Sequence, residues 1–240
     1  LVGSEMCIRD RQGTILTSPD GTTWTPQTSG TTKNLNRVIF GNNTFMTVGN
    51  GGAILTSPNG TTWTEQDSGT TNRAFQGVTY GNNTFVTVGN TGVVYTSPDG
   101  LTWTLREVQY FSTNLSEVSY GNDTFVAVGE DGNVITSPDG TTWDVQTPTY
   151  GQQNLNGVYY ANDTFITVGT AENILTSPNG TTWTVLRSEA TNQLYGVVHA
   201  NSTFVTVGSS GTILTSSVVN SSNATVSTLN LNELDGNSNI

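Results

Sequence analysis

A block of about 40 residues repeats along this chain, and this repetition limits the folds that the chain can adopt. The serine of a recurring TSP segment lies at Ser18, Ser57, Ser97, Ser137 and Ser177, and a degraded copy carries Ser216. The phenylalanine of a second block, NNTFMTVG and its variants, lies at Phe45, Phe85, Phe125, Phe165 and Phe204. Successive copies are 39 or 40 residues apart. Such a period is typical of propeller blades and stacked repeats.

Each repeat contains four short strand signals bounded by turn residues. In the first full repeat these predicted strands, A to D, cover 35–40, 44–48, 53–57 and 61–66. The GNN or GND between strands A and B is typical of a tight hairpin with positive φ, and PDG or PNG joins C to D. No segment has helical periodicity.

These signals predict an all-β protein, a β-propeller of four-stranded antiparallel blades with about 40 residues per blade. A β-solenoid is the competing architecture. The chain starts with C and D signals at 14–18 and 22–28, and it ends with A, B and C signals at 194–199, 203–207 and 212–216. Pairing the first C–D unit with the last A–B unit closes a ring of five blades, which we favour. The alternative is a fragment of a six- or seven-bladed propeller.

Two segments fall outside the repeats. Residues 1–11 match no other part of the chain and resemble translated adapter sequence, so we exclude them from the fold prediction. Residues 12–217 are the predicted propeller. Residues 218–240 are rich in Asn and Ser and are predicted to be a tail or linker.

The segment SPDGTTW and its variants resemble the Asp-box of sialidase-like (BNR) β-propellers. The usual Asp-box separates Asp and Gly by one residue, whereas here they are adjacent, as in photosystem-assembly-factor-type and uncharacterised secreted propellers. The resemblance implies a structural turn between the third and fourth strands of a blade. Its residues are Ser18, Asp20, Gly21, Trp24, Ser57, Asn59, Gly60, Trp63, Ser97, Asp99, Gly100, Trp103, Ser137, Asp139, Gly140, Trp143, Ser177, Asn179, Gly180 and Trp183.

The acidic position of this motif is not always acidic. It is Asp20 in the first copy but Asn59 in the second and Asn179 in the fifth. A metal ligand or a general acid needs the charge or the proton, whereas a hydrogen-bond acceptor needs only the oxygen. The substitution pattern therefore favours a structural role.

Catalysis is not expected from the residues present. The resemblance to sialidases implies three arginines that clamp a carboxylate, a Tyr/Glu nucleophilic pair and an acidic Asp. After residues 1–11, the arginines are Arg37, Arg73, Arg106 and Arg187, which do not share one repeat position. No P-loop or zinc-site spacing occurs either. We therefore predict that the protein is not an enzyme.

The single histidine, His199, is a second test of the repeat. Its equivalents in the other copies are Phe40, Tyr80, Tyr120 and Tyr160. The repeat therefore predicts that His199 fills an aromatic position.

Charge and composition limit the classes of partner that the chain can bind. The net charge is −11, with one lysine, and such a surface repels a phosphate backbone, so nucleic-acid binding is not expected. No apolar run approaches the roughly 18 residues that span a bilayer, so membrane insertion is not expected. A single cysteine excludes an internal disulfide framework and is compatible with an oxidising compartment. We expect an extracellular or cell-surface location.

The connections between strand D and the next strand A vary most between repeats, and they share one face with the B–C turns. Loops on a rigid framework commonly carry binding residues. Aromatic rings beside carboxylates are typical of sugar-binding surfaces, so we predict a non-catalytic binding or scaffold propeller that recognises glycan or protein on this face. The ligand-binding candidates are Arg106, Glu107, Tyr110, Phe111, Glu130, Asp131, Tyr150, Glu172, Arg187 and Glu189.

Other functions stay open. The chain is alternatively a structural repeat of a larger surface or phage-tail adhesin, or a remnant of a sialidase-like glycoside hydrolase. No cofactor is predicted, although Glu130 and Asp131 together form a weak candidate for Ca²⁺, which prefers several oxygen ligands.

Overall fold

Alternating apolar residues and short Asn- and Gly-containing turns produce antiparallel sheets throughout the described chain. The computed structural model describes residues 6–9, 11–146, 151–170, 173–187, 192–217 and 232–233. Within these ranges, helix is limited to single 3₁₀ turns such as Asn50–Gly52 and Glu130–Gly132. No helix in the described ranges is long and apolar enough to cross a bilayer.

The described strands form five four-stranded sheets, blades 1 to 5, and one three-stranded N-terminal sheet. The N-terminal sheet contains β1 (Met6–Arg9), β2 (Ile15–Ser18) and β3 (Thr25–Gln27). Blade 1 contains β4 (Leu35–Gly41), β5 (Thr44–Gly49), β6 (Ile54–Ser57) and β7 (Thr64–Glu65). Blade 2 contains β8 (Phe75–Gly81), β9 (Thr84–Gly89), β10 (Val94–Ser97) and β11 (Thr104–Arg106). Blade 3 contains β12 (Leu115–Gly121), β13 (Thr124–Gly129), β14 (Val134–Ser137) and β15 (Asp144–Gln146). Blade 4 contains β16 (Leu155–Ala161), β17 (Thr164–Gly169), β18 (Asn173–Ser177) and β19 (Thr184–Arg187). Blade 5 contains β20 (Leu194–Ala200), β21 (Thr203–Gly208), β22 (Ile213–Ser217) and β23 (Asn232–Glu233).

The predicted fold class is confirmed: the protein is an all-β, five-bladed propeller of four-stranded antiparallel blades. Each repeat pairs its own four strands in sequence order. A solenoid would instead pair each strand with its equivalent in the next repeat, so the competing architecture is wrong.

The A–B hairpins have the predicted turn chemistry. In blade 1, Phe40 pairs with Phe45, and the two turn residues Asn42 and Asn43 have φ of 49° and 55°. Positive φ at both central residues is the requirement of a type I′ turn, and Asn tolerates it better than most residues.

Two details of the strand prediction were wrong. The D strand of blade 1 begins at Thr64, three residues later than predicted, because Thr61 and Thr62 donate their backbone N–H groups to the side chain of Asn59 instead of to a strand. The predicted closure also fails. Strand β2 pairs with β1 on one side and with β3 on the other, and β22 pairs with β23, so the first C–D unit does not complete the last blade.

The core lies between successive blades. Met46, Val48 and Ile54 of blade 1 pack against Phe75 and Phe85 of blade 2. Equivalent clusters join blade 2 to 3, 3 to 4 and 4 to 5, and a smaller one joins the N-terminal sheet to blade 1. One sheet cannot bury both of its faces alone, so each blade depends on its neighbours.

Candidate functional site

The five A strands lie side by side around a central cavity of about 540 Å³. Its lining includes Val38, Val78, Val118 and Val158 at one repeat position, and Ile39, Thr79, Ser119, Tyr159 and Val198 at the next position along the A strands. The middle of the channel therefore mixes aliphatic side chains with the hydroxyl groups of Thr79, Ser119 and Tyr159. Polar groups concentrate at one end.

A β-bulge shapes that end of the channel. In blade 1 the register shifts between Leu35 and Arg37, which leaves Asn36 as the extra residue, and the same shift occurs in the other four blades. Bulges reorient side chains and are common beside functional sites. The five bulge residues are Asn36, Gln76, Ser116, Asn156 and Tyr195. Together with Asn90, Asn114, Glu130 and Gln193 they line a second cavity of about 320 Å³, which we call the polar mouth.

Hydrogen bonds within and between blades hold two of these amides, Asn36 and Asn156, in place. The Nδ2 of Asn36 donates to the carbonyl oxygen of Phe75 (2.7 Å) and to Oδ1 of Asn50 (2.8 Å). The Nδ2 of Asn156 donates to the carbonyl oxygen of Leu194 (2.7 Å). These bonds use both N–H groups of Asn36 and one of Asn156, and they leave the Oδ1 of each amide as an acceptor. The polar mouth is therefore a preorganised ring of amide groups.

An ion pair lies where the channel meets the polar mouth. Arg37 of blade 1 pairs with Glu117 of blade 3, and the carboxylate side chain is only 4% exposed. Both residues line both cavities. Blade 2 carries Gly77 at the equivalent position, where a Cβ would lie 2.8 Å from Oε1 of Glu117. Because Gly77 has no side chain, blade 2 leaves room for the Arg37–Glu117 pair.

This ion pair was not among the predicted site residues. Its signal was present, because the equivalents of Arg37 and Glu117 are Gly77, Gly157 and Gly196. Two opposite charges among three glycines at one repeat position indicate a contact across the ring.

Among the predicted ligand-binding residues, Glu130 is the one that the structure brings into the polar mouth. Its carboxylate accepts a hydrogen bond from Nδ2 of Asn114 at 3.0 Å. The neighbouring Asp131 is exposed, has φ of 56° and donates its backbone N–H to Oδ1 of Asn154. For the Ca²⁺ candidate, the described residues contain no group of three or more His, Cys, Asp or Glu side chains that could hold a metal ion.

Four other candidates lie on or after the outer strand of blade 2. The Nε of Arg106 donates to Oγ1 of Thr96 at 2.8 Å. Glu107 is exposed and Tyr110 fully so, whereas Phe111 packs against the core between blades 2 and 3. None of these four lines the polar mouth. The structure therefore does not bring the candidates together as one cluster.

The remaining candidates cannot be placed in the same way. Tyr150, Glu172 and Glu189 lie outside the described residues. Arg187 ends β19, but its side chain is outside the described part. Their role stays a prediction.

The SPDG and SPNG turns hold themselves together with internal hydrogen bonds. In the fourth copy, Oδ1 of Asp139 accepts the backbone N–H groups of Thr141 (2.7 Å) and Thr142 (2.9 Å). In the fifth copy, Oδ1 of Asn179 accepts the equivalent two groups, both at 3.0 Å. An amide oxygen makes the contacts that the carboxylate makes. These are the contacts expected of a structural turn.

The same hydrogen bonds lower the pKa values of the turn aspartates. The backbone N–H of Thr142 is the main cause that lowers the pKa of Asp139 to about 2. The backbone N–H of Thr23 likewise lowers the pKa of Asp20, and that of Thr102 lowers the pKa of Asp99. A carboxyl whose pKa lies this far below neutral cannot act as a proton donor at pH 7.

The opposite end of the A strands carries aromatic pairs. The ring of Tyr120 lies 4.5 Å from that of Phe125, and the His199 ring lies 4.6 Å from Phe204. The prediction that His199 fills an aromatic position is confirmed. Burial, followed by the Asp123 carboxylate, raises the pKa of Tyr120.

The comparisons with known proteins support the fold and leave the family open. No protein-family model matches the chain, and no curated protein matches it. Among solved structures, the chain is similar to YCF48 bound to D1 peptide, with a TM-score of 0.67 and 19% identity over 89% of this chain and 74% of that one. It is also similar to YCF48 from Cyanidioschyzon merolae, with a TM-score of 0.67 and 16% identity over 89% of this chain and 79% of that one.

A third similar structure is that of a lyase. It is a catalytically inactive H270A virginiamycin B lyase from Staphylococcus aureus with quinupristin, with a TM-score of 0.80 and 11% identity over 92% of this chain and 77% of that one. At such identities the likeness shows the fold alone. Fold does not imply function.

Proposed function

We propose that this protein is a non-catalytic binding propeller that takes a peptide segment of a partner protein at the polar mouth. The observation that carries the proposal is the lining of the polar mouth, where side-chain amides from several blades converge at one opening. A side-chain amide donates and accepts one hydrogen bond each with a peptide unit, so it matches an extended backbone.

Charge favours a basic segment. The chain carries a net charge of −11, and Glu130 lies in the polar mouth. A cationic peptide would be drawn to this surface by long-range attraction. Half-exposed Tyr195 adds an aromatic face for the apolar stem of a Lys or Arg side chain.

The structural neighbours give independent support for a protein ligand. One of them, YCF48, is bound to D1 peptide. A further neighbour is a lyase. The proposal of a non-enzyme is supported by the exchange of Asp for Asn in the SPDG turns and by arginines that do not share one repeat position. An extracellular or cell-surface location is part of the same proposal, and a single cysteine is compatible with it.

The test is a screen of the full chain against an array of short peptides of graded charge, with a glycan array in parallel. We expect basic peptides to bind, with affinity that falls as salt is raised. The double variant Tyr195→Ala plus Glu130→Gln removes an aromatic ring and a charge from the polar mouth and should weaken binding by about tenfold or more, a loss typical of an interface anchor.

The matched control changes the same residue types outside the polar mouth. Tyr110→Ala plus Glu107→Gln alters the loop after β11 and should leave affinity unchanged. If this control abolishes binding and the mouth variant does not, the ligand binds on the outer loops. Glycan binding with no peptide binding would overturn the peptide assignment.

A further inference from the structure

Blade 5 exposes side chains whose equivalents are completely buried elsewhere. Val207 is 47% exposed, whereas Val48, Val88, Val128 and Val168 at the same repeat position are each 0% exposed. Ile213 is 37% exposed, whereas its equivalents Ile54, Val94, Val134 and Ile174 are 0% or 1% exposed. Val207 and Ile213 are paired across β21 and β22. With the half-buried Val205 they form a contiguous apolar surface, which we call the blade-5 face.

The other blades show what covers this position. The Val48 and Ile54 pair of blade 1 packs against Phe75 and Phe85 of blade 2. The Val168 and Ile174 pair of blade 4 packs in the same way against blade 5. In every interface between two four-stranded blades, the equivalent pair is covered by the first, second and third strands of the following blade.

The glycine of the following SPDG or SPNG turn completes these contacts. A Cβ on Gly100 would lie 2.9 Å from Cε of Met46, and one on Gly180 would lie 2.5 Å from Cγ2 of Val126. Met46 and Val126 are the equivalents of Val205. The surface that fits the blade-5 face therefore combines apolar strand residues with a glycine turn.

We propose that the blade-5 face is a docking surface for one further four-stranded blade of the same repeat type. The docking blade has a large apolar residue at the positions of Phe75 and Phe85, and a glycine at the position of Gly100. The interface continues the packing already present between blades 1 and 5. Burial of apolar surface, and not charge pairing, drives the docking, because the blade-5 face consists of aliphatic side chains.

Thiol labelling tests the proposal on the full chain. Cys7 is the only cysteine, so the background variant is Cys7→Ser, and Val207→Cys then reports on the blade-5 face. A second copy of residues 74–114, one whole repeat, is appended after residue 240. We expect the labelling rate of Val207→Cys to fall about tenfold or more in the extended chain, because a docked blade must open before the thiol reacts.

Two controls make the result decisive. Val145→Cys, on β15 and 46% exposed in the starting structure, should label at the same rate in both chains. An appended copy with Asp in place of Phe75 should not protect Val207→Cys, because a charge cannot enter the interface.

Three results would overturn the proposal. Equal labelling of Val207→Cys with and without the appended repeat would show that a further blade does not dock. Slow labelling in the unextended chain at every concentration would show that the face is already covered. Protection that disappears on dilution of the unextended chain would show that a second copy is the occupant.

Discussion

At the residue scale, one oxygen atom closes each SPDG or SPNG turn. The Oδ1 of Asp139 accepts two backbone N–H groups, and Oδ1 of Asn179 accepts the equivalent pair at similar distances. The two residues are therefore interchangeable as acceptors, but only the aspartate brings a charge. The charge makes its contribution depend on pH.

Replacing Asp139 should separate these two effects. At pH 7, Asp139→Asn keeps the acceptor and should change stability little, whereas Asp139→Ala should cost about 1 kcal/mol, as the loss of a capping side chain does. Denaturant unfolding of the three proteins measures the difference. A loss for Asp139→Asn as large as that for Asp139→Ala would show that the charge, and not the acceptor, closes the turn.

The acid dependence has a defined sign. Backbone hydrogen bonds lower the pKa of Asp139 from 3.8 to about 2 in the folded protein. The folded state thus favours the charged form of Asp139. The resulting contribution to the free energy of unfolding is fully present above the pKa of the unfolded state, and it is lost as the pH falls through the pKa of the folded state. The stability of the wild type relative to Asp139→Asn should therefore fall as the pH drops from about 4 to about 2.

At the element scale, the C–D turn does more than reverse the chain. It places a glycine with positive φ against the previous blade. A Cβ on Gly180 would lie 2.5 Å from Cγ2 of Val126, and the φ of Gly180 is 77°. Blade packing and turn conformation therefore both require glycine at this position.

Gly30 provides a matched comparison. Its φ is 79°, but a Cβ there would meet nothing within 4 Å. Gly30→Ala should cost about 1–2 kcal/mol from backbone strain alone. Gly180→Ala should cost about 1–3 kcal/mol more, because Val126 must move. Thermal unfolding measures both. Equal losses would contradict the packing role of the turn.

At the scale of the whole molecule, the blades are equivalent in sequence but unequal in surroundings. Val168 and Val207 occupy the same repeat position, yet one is fully buried and the other is 47% exposed. The free energy cost of a charge at this position should follow the surroundings and not the repeat.

Substituting aspartate for Val168 and for Val207 tests this expectation. Val168→Asp places an unpaired carboxylate between blades 4 and 5 and should cost more than about 4 kcal/mol or abolish cooperative folding. Val207→Asp should cost less than about 1 kcal/mol, as an exposed substitution does. Circular dichroism and denaturant unfolding give the comparison. Similar losses at both positions would show that the blade-5 face is covered in solution.

The candidate site was predictable only in part. Glu130 was predicted from its B–C turn and does lie in the polar mouth. The bulge residue Asn36 was not predicted, because a bulge is a property of how two strands pair. Arg37 and Glu117 meet across blade 2. The repeat carries a signal for this pair, because three other blades have glycine at that position, but the contact itself depends on how the blades pack.

The sequence by itself determined the blade: its period, its four antiparallel strands, its Asn42–Asn43 hairpin and its aromatic position at His199. These features follow from turn chemistry and side-chain alternation within about 40 residues, so local sequence encodes them. Only the tertiary structure decided which strands flank the first C–D unit, which charges meet across the channel and which apolar face stays exposed. Each of these depends on contacts between separate blades, whose near-identical sequences leave the arrangement to packing.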